Sequence, residues 1–259
     1  MIAELEKEFT ETANMLLGAR LRGLEDYGPW LGENVPLPYP GRSALSGKEV
    51  WVPPPLNFLG REFAKSRIIS MDEIGQANVS PFRPEDLEGA PVRKILEKIV
   101  RPIAYYCGDW RYGSYENLEK ASGAGAGVNV FYSEDVYHDV KNIAYSNYVL
   151  YCESMFGCHV ATYSKFCIHA YNSFRVTRCF EVDGCSDSSD LLFCHNSEAL
   201  QNCMFCFNAK SLRYAVGNVE VGRAEYMRIR GMLLNYIGKE LENGKGLDLS
   251  IYIIGLRKK

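Results

Sequence analysis

Between residues 140 and 215 small and apolar residues return every nine positions, and that rhythm leaves few folds open to the chain. Val140, Val149, Cys158, Cys167, Val176, Cys185, Cys194, Cys203 and Leu212 form one series. A second runs three residues behind it: Ile143, Cys152, Ala161, Ala170, Cys179, Ser188, Ser197, Cys206 and Ala215. A fixed period held over such a length marks a solenoid, in which each repeat buries its apolar side against the next. Written in pairs of beats, the segment sets Cys158 over Val176 and Cys194, and Cys167 over Cys185 and Cys203. The expectation is a parallel β-helix of about 18 residues per coil, with backbones pairing at about 4.8 Å and like residues stacked in files. Cysteine suits the lumen of such a helix because it behaves as a small hydrophobe. The positions left outside are rich in Asn, Asp, Ser, Lys, Arg and Tyr, as turns and solvated strands require.

The segments on either side follow other rules. Ile2, Leu5, Phe9, Ala13, Leu16, Leu17 and Leu24 trace a helical stripe that ends near Gly23 and the Tyr27-Gly28-Pro29 turn. The proline-rich stretch 35–55 is expected to wrap a surface, since it can be neither helix nor central strand. Short extended pieces are predicted at 49–52 and 66–70, and a helix over 91–100 that buries Val92, Ile95, Leu96 and Ile99. The run Ser122 to Gly127 reads as a flexible link into the first coil. At the other end Tyr226, Met227, Ile229, Leu233, Leu234, Ile237 and Leu241 recur at helical spacing, and 247–253 alternates like a strand. The predicted organisation is an N-terminal α+β region (1–127), a β-solenoid (128–221), and a C-terminal capping helix with a terminal strand (222–259). The N-terminal region and this helix are assigned to cover the open ends, where unpaired edges would otherwise polymerise.

Charge excludes some classes of function. A chain of 259 residues with net charge −3 and pI near 5.9 is no general nucleic-acid binder. It has no apolar run of membrane-spanning length, and acidic Glu4, Glu6 and Glu8 stand where a signal peptide needs basic residues. No membrane contact and a cytoplasmic address are therefore expected.

Catalytic motifs are sparse. Gly41 to Lys48 resembles a phosphate loop, but its first glycine is one residue too early and Glu49 stands where Ser or Thr should bind magnesium. Eight of the nine cysteines fall on the beat and Cys107 lies off it, so reduced core thiols are expected rather than a disulfide scaffold. The single pair Cys203 and Cys206, with Cys185 or Cys194, leaves a metal or iron–sulfur site as an alternative, but no cofactor is expected. In the eighteen-residue frame His159, Thr177 and His195 share an outer column, and Tyr145 and Tyr163 share another. These five residues are the candidate binding surface.

The segment Cys194 to Asn208 resembles cysteine-rich β-solenoid proteins of unassigned role in archaea and bacteria. The coil length is also similar to that of the left-handed β-helices of hexapeptide acyltransferases and their carbonic-anhydrase relatives. That second resemblance implies an enzyme with a histidine at a subunit interface. The reading preferred here is a non-catalytic binding or assembly module taking a protein partner or a second copy of itself.

Overall fold

The backbone repeats every three residues. From Asn142 to Asn208 each third residue has φ near +50°, with Gly157 and Gly184 taking their places in the series. For residues other than glycine this left-handed conformation costs about 1–2 kcal/mol apiece, so it persists only where long-range pairing fixes it. Each unit is an inward residue, an outward one, and a left-handed one that turns the chain through a corner. Glu153 lies beside Lys141 and Lys165 beside Glu153; further on, Ser189 follows Thr177, then Gln201 and Arg213. Four three-residue sides therefore close a coil of twelve residues.

In the computed structural model, which describes residues 2–54, 65–77 and 82–255, these coils form a β-solenoid of about 9 turns over residues 111–216. An N-terminal α+β region precedes it and the helix Arg223–Gly244 follows. The solenoid, the N-terminal region and the C-terminal helix are as the sequence predicts. The coil length is corrected from eighteen to twelve residues. Nine residues are three sides, so successive beats step around the lumen instead of stacking. Eighteen residues are a turn and a half, which sets Val176 across the lumen from Cys158 and Cys194.

Inward residues make four files; one runs Ile143–Met155–Cys167 and on to Leu191–Cys203–Ala215, and another includes Val182 and Cys194. Their packing forms a continuous buried cluster from Ala121 to Ala215. Serine and cysteine here do more than fill space. The Ser146 hydroxyl donates to the Ala144 carbonyl (2.9 Å) and accepts the N–H of Cys158 one coil on (3.0 Å). Ser164 serves Val176, Ser173 serves Cys185 and Ser188 serves Leu200 in the same way. The Cys158 thiol repeats the pattern, donating to the Phe156 carbonyl and accepting from the Ala170 N–H (3.4 Å). Each gives an inward-pointing N–H the acceptor that a buried backbone donor needs.

One outer face is apolar and lies under helices. Phe131, Ala144, Phe156, Ile168, Phe180, Leu192 and Met204 run along it, covered by Leu5, Phe9, Ala13, Leu16 and Leu17 of the helix Ala3–Leu17 and by Tyr226, Ile237 and Leu241 of the C-terminal helix. The Phe9 ring meets Phe156 edge-on at 5.2 Å. At roughly 1.5–3 kcal/mol per buried large side chain, this lateral core is a main source of stability. The C-terminal helix therefore packs on the flank. The last coil is met instead by Val219–Glu220, which pairs antiparallel with Arg213–Val216, and by Asn218, whose amide bonds both N–H and C=O of Phe207. The predicted strand over 247–253 is absent; residues 251–255 form turns, with Leu247 and Ile251 buried.

The domain boundaries also change. Residues 1–37 and 112–259 make one compact unit, and 38–111 another. The coils begin before residue 128, and the Ser122–Gly127 run lies within them. Gly125 is required by packing, since a Cβ there would stand 2.1 Å from the Tyr112 carbonyl oxygen. In the second unit the proline-rich stretch contains a two-stranded hairpin, Tyr39–Arg42 with Glu49–Val52, and Ile68–Ile69 pairs with Tyr106–Cys107. The predicted helix is present as helical turns from Val92 to Ile103, but only Ile99 is buried, while Val92 and Leu96 are exposed. Among the described residues no helix is long and apolar enough to cross a membrane.

Candidate functional site

The twelve-residue coil redistributes the five predicted surface residues. His159 and His195 do share a column, with Tyr171 and Asp183 between them. They are three coils apart, about 14 Å by the strand spacing. Thr177 belongs to another face, beside Ser189. Tyr145 and Tyr163 stand at different corners: Tyr145 is 5 % exposed and Tyr163 52 %. The Tyr145 ring packs against Phe131 and Tyr132, and a Cβ on Gly28 would lie 2.7 Å from its hydroxyl, so Tyr145 is a docking point for the N-terminal segment.

The two histidines differ in setting. Desolvation lowers the His159 pKa, and its Nδ1 is buried without a hydrogen-bond partner. Asn147 beside it donates to Glu134 and to the Pro36 carbonyl, while its own Oδ1 has no partner. Nδ1 of His195 lies 2.9 Å from the Asp183 carboxylate, and its ring is tilted over Phe207. A third histidine, His169, is fully buried with Glu181, whose second oxygen accepts the Ile251 N–H at 2.9 Å. Trp30 packs on the His169 ring at 4.7 Å. This pair ties the C-terminal segment to the solenoid.

The structure assembles a surface that the eighteen-residue frame had scattered. The His138 and Tyr151 rings stack at 5.3 Å, and Tyr151 and Tyr163 at 4.7 Å with planes 9° apart. Phe174 closes the file edge-on to Tyr163, and the Arg175 guanidinium covers Phe174 at 4.3 Å. Tyr151 and Phe174 are 38 % and 37 % exposed. Because the His138, Tyr151 and Tyr163 rings face one another along the axis, they present their edges to solvent as one stiff rail, with Phe174, in register with Thr162, set across its end. Charged rungs continue the same logic on this and the neighbouring face: Arg175 with Asp187, Glu153 with Lys165, and Arg178 bidentate to Asp190 at 2.7 Å. Of the rail's aromatic members only Tyr163 is among the five candidate binding residues. The signal that finds the others is the step of twelve from Tyr151 to Tyr163, and of thirteen from His138 to Tyr151.

Thiol chemistry is subdued over most of the lumen. Burial pushes the Cys152 thiol up to about 11 and those of Cys158 and Cys185 up to about 12, which leaves them protonated at neutral pH. Among the described residues no group of three or more His, Cys, Asp or Glu is arranged to hold a metal ion. Compared with protein-family models, with curated proteins and with solved structures, the chain shows no match. The similarity to hexapeptide enzymes rested on an eighteen-residue coil and has no geometric footing in a coil of twelve.

Proposed function

We propose that the chain is a non-catalytic binding or assembly module that takes a protein partner, a second copy of itself included, on the rail His138–Tyr151–Tyr163–Phe174 with Arg175. The observation that carries this reading is the exposure of stacked rings on a surface whose shape is already fixed by the coils. Rigid aromatic groups give contact area at low entropic cost, which is why they dominate interface energetics. Net negative charge favours a protein over a nucleic acid. Nine unpaired cysteines agree with a reducing compartment such as the cytoplasm.

Co-purification from the native source, run in parallel for the parent chain and for Tyr151→Ala with Tyr163→Ala, tests the proposal. The variant should lose the partner at least tenfold while keeping its melting temperature within a few degrees. Undiminished capture would remove the rail from the interface. Turnover of an acyl donor that disappears with His159→Ala or His195→Ala would replace the binding module with an enzyme.

A further inference from the structure

The lumen ends in a layer made by Cys206, Ala209, Leu212 and Ala215, beyond which the backbone leaves the coils for the hairpin to Glu220. Cys206 is thus the only thiol in the terminal layer among the described residues. Cys194 lies directly behind it: the His195 N–H bonds the Cys206 carbonyl at 2.9 Å, and His195 pairs with Phe207 in parallel register. In-register neighbours one coil apart have Cα atoms about 4.8 Å from each other, inside the 4.4–6.8 Å range of disulfides. The Cys206 thiol donates to the Met204 carbonyl and the Cys194 thiol to the Leu192 and Cys203 carbonyls, each at 3.6 Å, so neither sulfur is held by a partner that a disulfide would have to displace from its side chain.

We propose that Cys206 and Cys194 form a redox-responsive staple across the last two coils, closed by peroxide and opened by dithiols. Cys206 stands in the end layer, which peroxide reaches first, and Cys194 one coil further in, which divides the roles of attacking and resolving sulfur; neighbouring thiols lower the pKa of the Cys206 thiol and burial raises that of Cys194, in the same sense. The Cys206 thiolate attacks one oxygen of hydrogen peroxide, the O–O bond breaks, and the departing hydroxide takes a proton to become water. The product is a sulfenic acid. The Cys194 sulfur then attacks the Cys206 sulfur, the S–O bond breaks, and hydroxide leaves with the proton of Cys194 as a second water. Two thiols and one peroxide become one disulfide and two waters. Access is from the end of the solenoid, where the last coil is met by the short strand Val219–Glu220 and the Asn218 amide, a thin cover that opens locally more readily than the interior coils. Cys167 and Cys179 are stacked one coil apart in the same manner but lie deep in the lumen, and they stay reduced.

The test treats the folded chain with a few equivalents of hydrogen peroxide, alkylates the remaining thiols in denaturant, and maps the peptides by mass spectrometry. The expected result is loss of two alkylatable thiols, a Cys194–Cys206 linkage reversed by dithiothreitol, and full alkylation of Cys167 and Cys179. Hydrogen exchange over 206–216 should slow several-fold in the oxidised chain. Cys206→Ser should abolish the linkage without disturbing the coil, since Ser146 already occupies the same lumen file. Retention of all thiols, arrest of Cys206 at the sulfinic acid, a linkage to Cys203, or equal cross-linking of Cys167 and Cys179 would each overturn the proposal.

Discussion

A serine in the lumen shows how little freedom a single position has. Ser164 donates to the Thr162 carbonyl at 2.9 Å and accepts the Val176 N–H at 3.1 Å, with no exposure to water. Ser164→Ala leaves that N–H buried without an acceptor and should cost about 1–3 kcal/mol, read as a lowered urea midpoint. Ser164→Cys should recover much of the loss, because the Cys152 sulfur already accepts an N–H in the same file. A second residue sets a pH dependence. Burial raises the Asp135 carboxyl from its ordinary value to about 6. Its folded pKa exceeds its unfolded one, so its contribution to stability is fully present below about pH 4 and is lost as pH rises through 6. Asp135→Asn should therefore gain on the parent by roughly 2 kcal/mol between pH 4 and pH 7 in thermal melts. A constant difference across that range would exclude the titration of Asp135 as its cause. At this scale the sequence was legible for size and burial, since small residues on the beat do line the lumen. The hydrogen-bonding role of Ser and Cys was not, because it depends on which N–H groups the ladder leaves over.

Of the elements read from helical periodicity, Arg223–Gly244 lies where its apolar stripe puts it, whereas the first helix, Ala3–Leu17, stops at a left-handed Gly18 before it reaches Leu24, which opens a separate helical turn. What they cover was not legible, because a stripe names a buried face without naming its neighbour. Both pack beside the coils on a file of large side chains that a nine-residue frame had distributed over several faces. Removing residues 222–259 should expose Phe205, Met204 and part of Leu16 and Leu17, and the truncated chain should aggregate in size-exclusion chromatography. A monodisperse product of unchanged melting temperature would show that the helix contributes nothing to the lateral core. The strand predicted over 247–253 fails for a similar reason. Its alternation is real, but Leu247 and Ile251 are buried from a turn that the Glu181 carboxylate holds through the Ile251 N–H.

For the whole molecule the decisive quantity is the number of residues per coil. Inward spacing alone permits three, four or six sides, and the beat of nine is compatible with each. The sequence does hold the missing information in its charges. Glu153 and Lys165, Arg175 and Asp187, Arg178 and Asp190, and Glu198 and Lys210 are opposite in sign at a separation of twelve, and all four pairs are in contact. Exposed pairs of this kind add only about 0.2–1 kcal/mol each, so they report register more than they create it. The rail on which the proposed function rests exists only in the twelve-residue coil. Oxidative cross-linking of two double-cysteine variants tests that coil directly. Glu153→Cys with Lys165→Cys joins residues one twelve-residue coil apart, and Lys141→Cys with His159→Cys joins residues eighteen apart. The twelve-residue coil predicts an intramolecular disulfide by mass spectrometry in the first variant and none in the second, and the reverse result would contradict it.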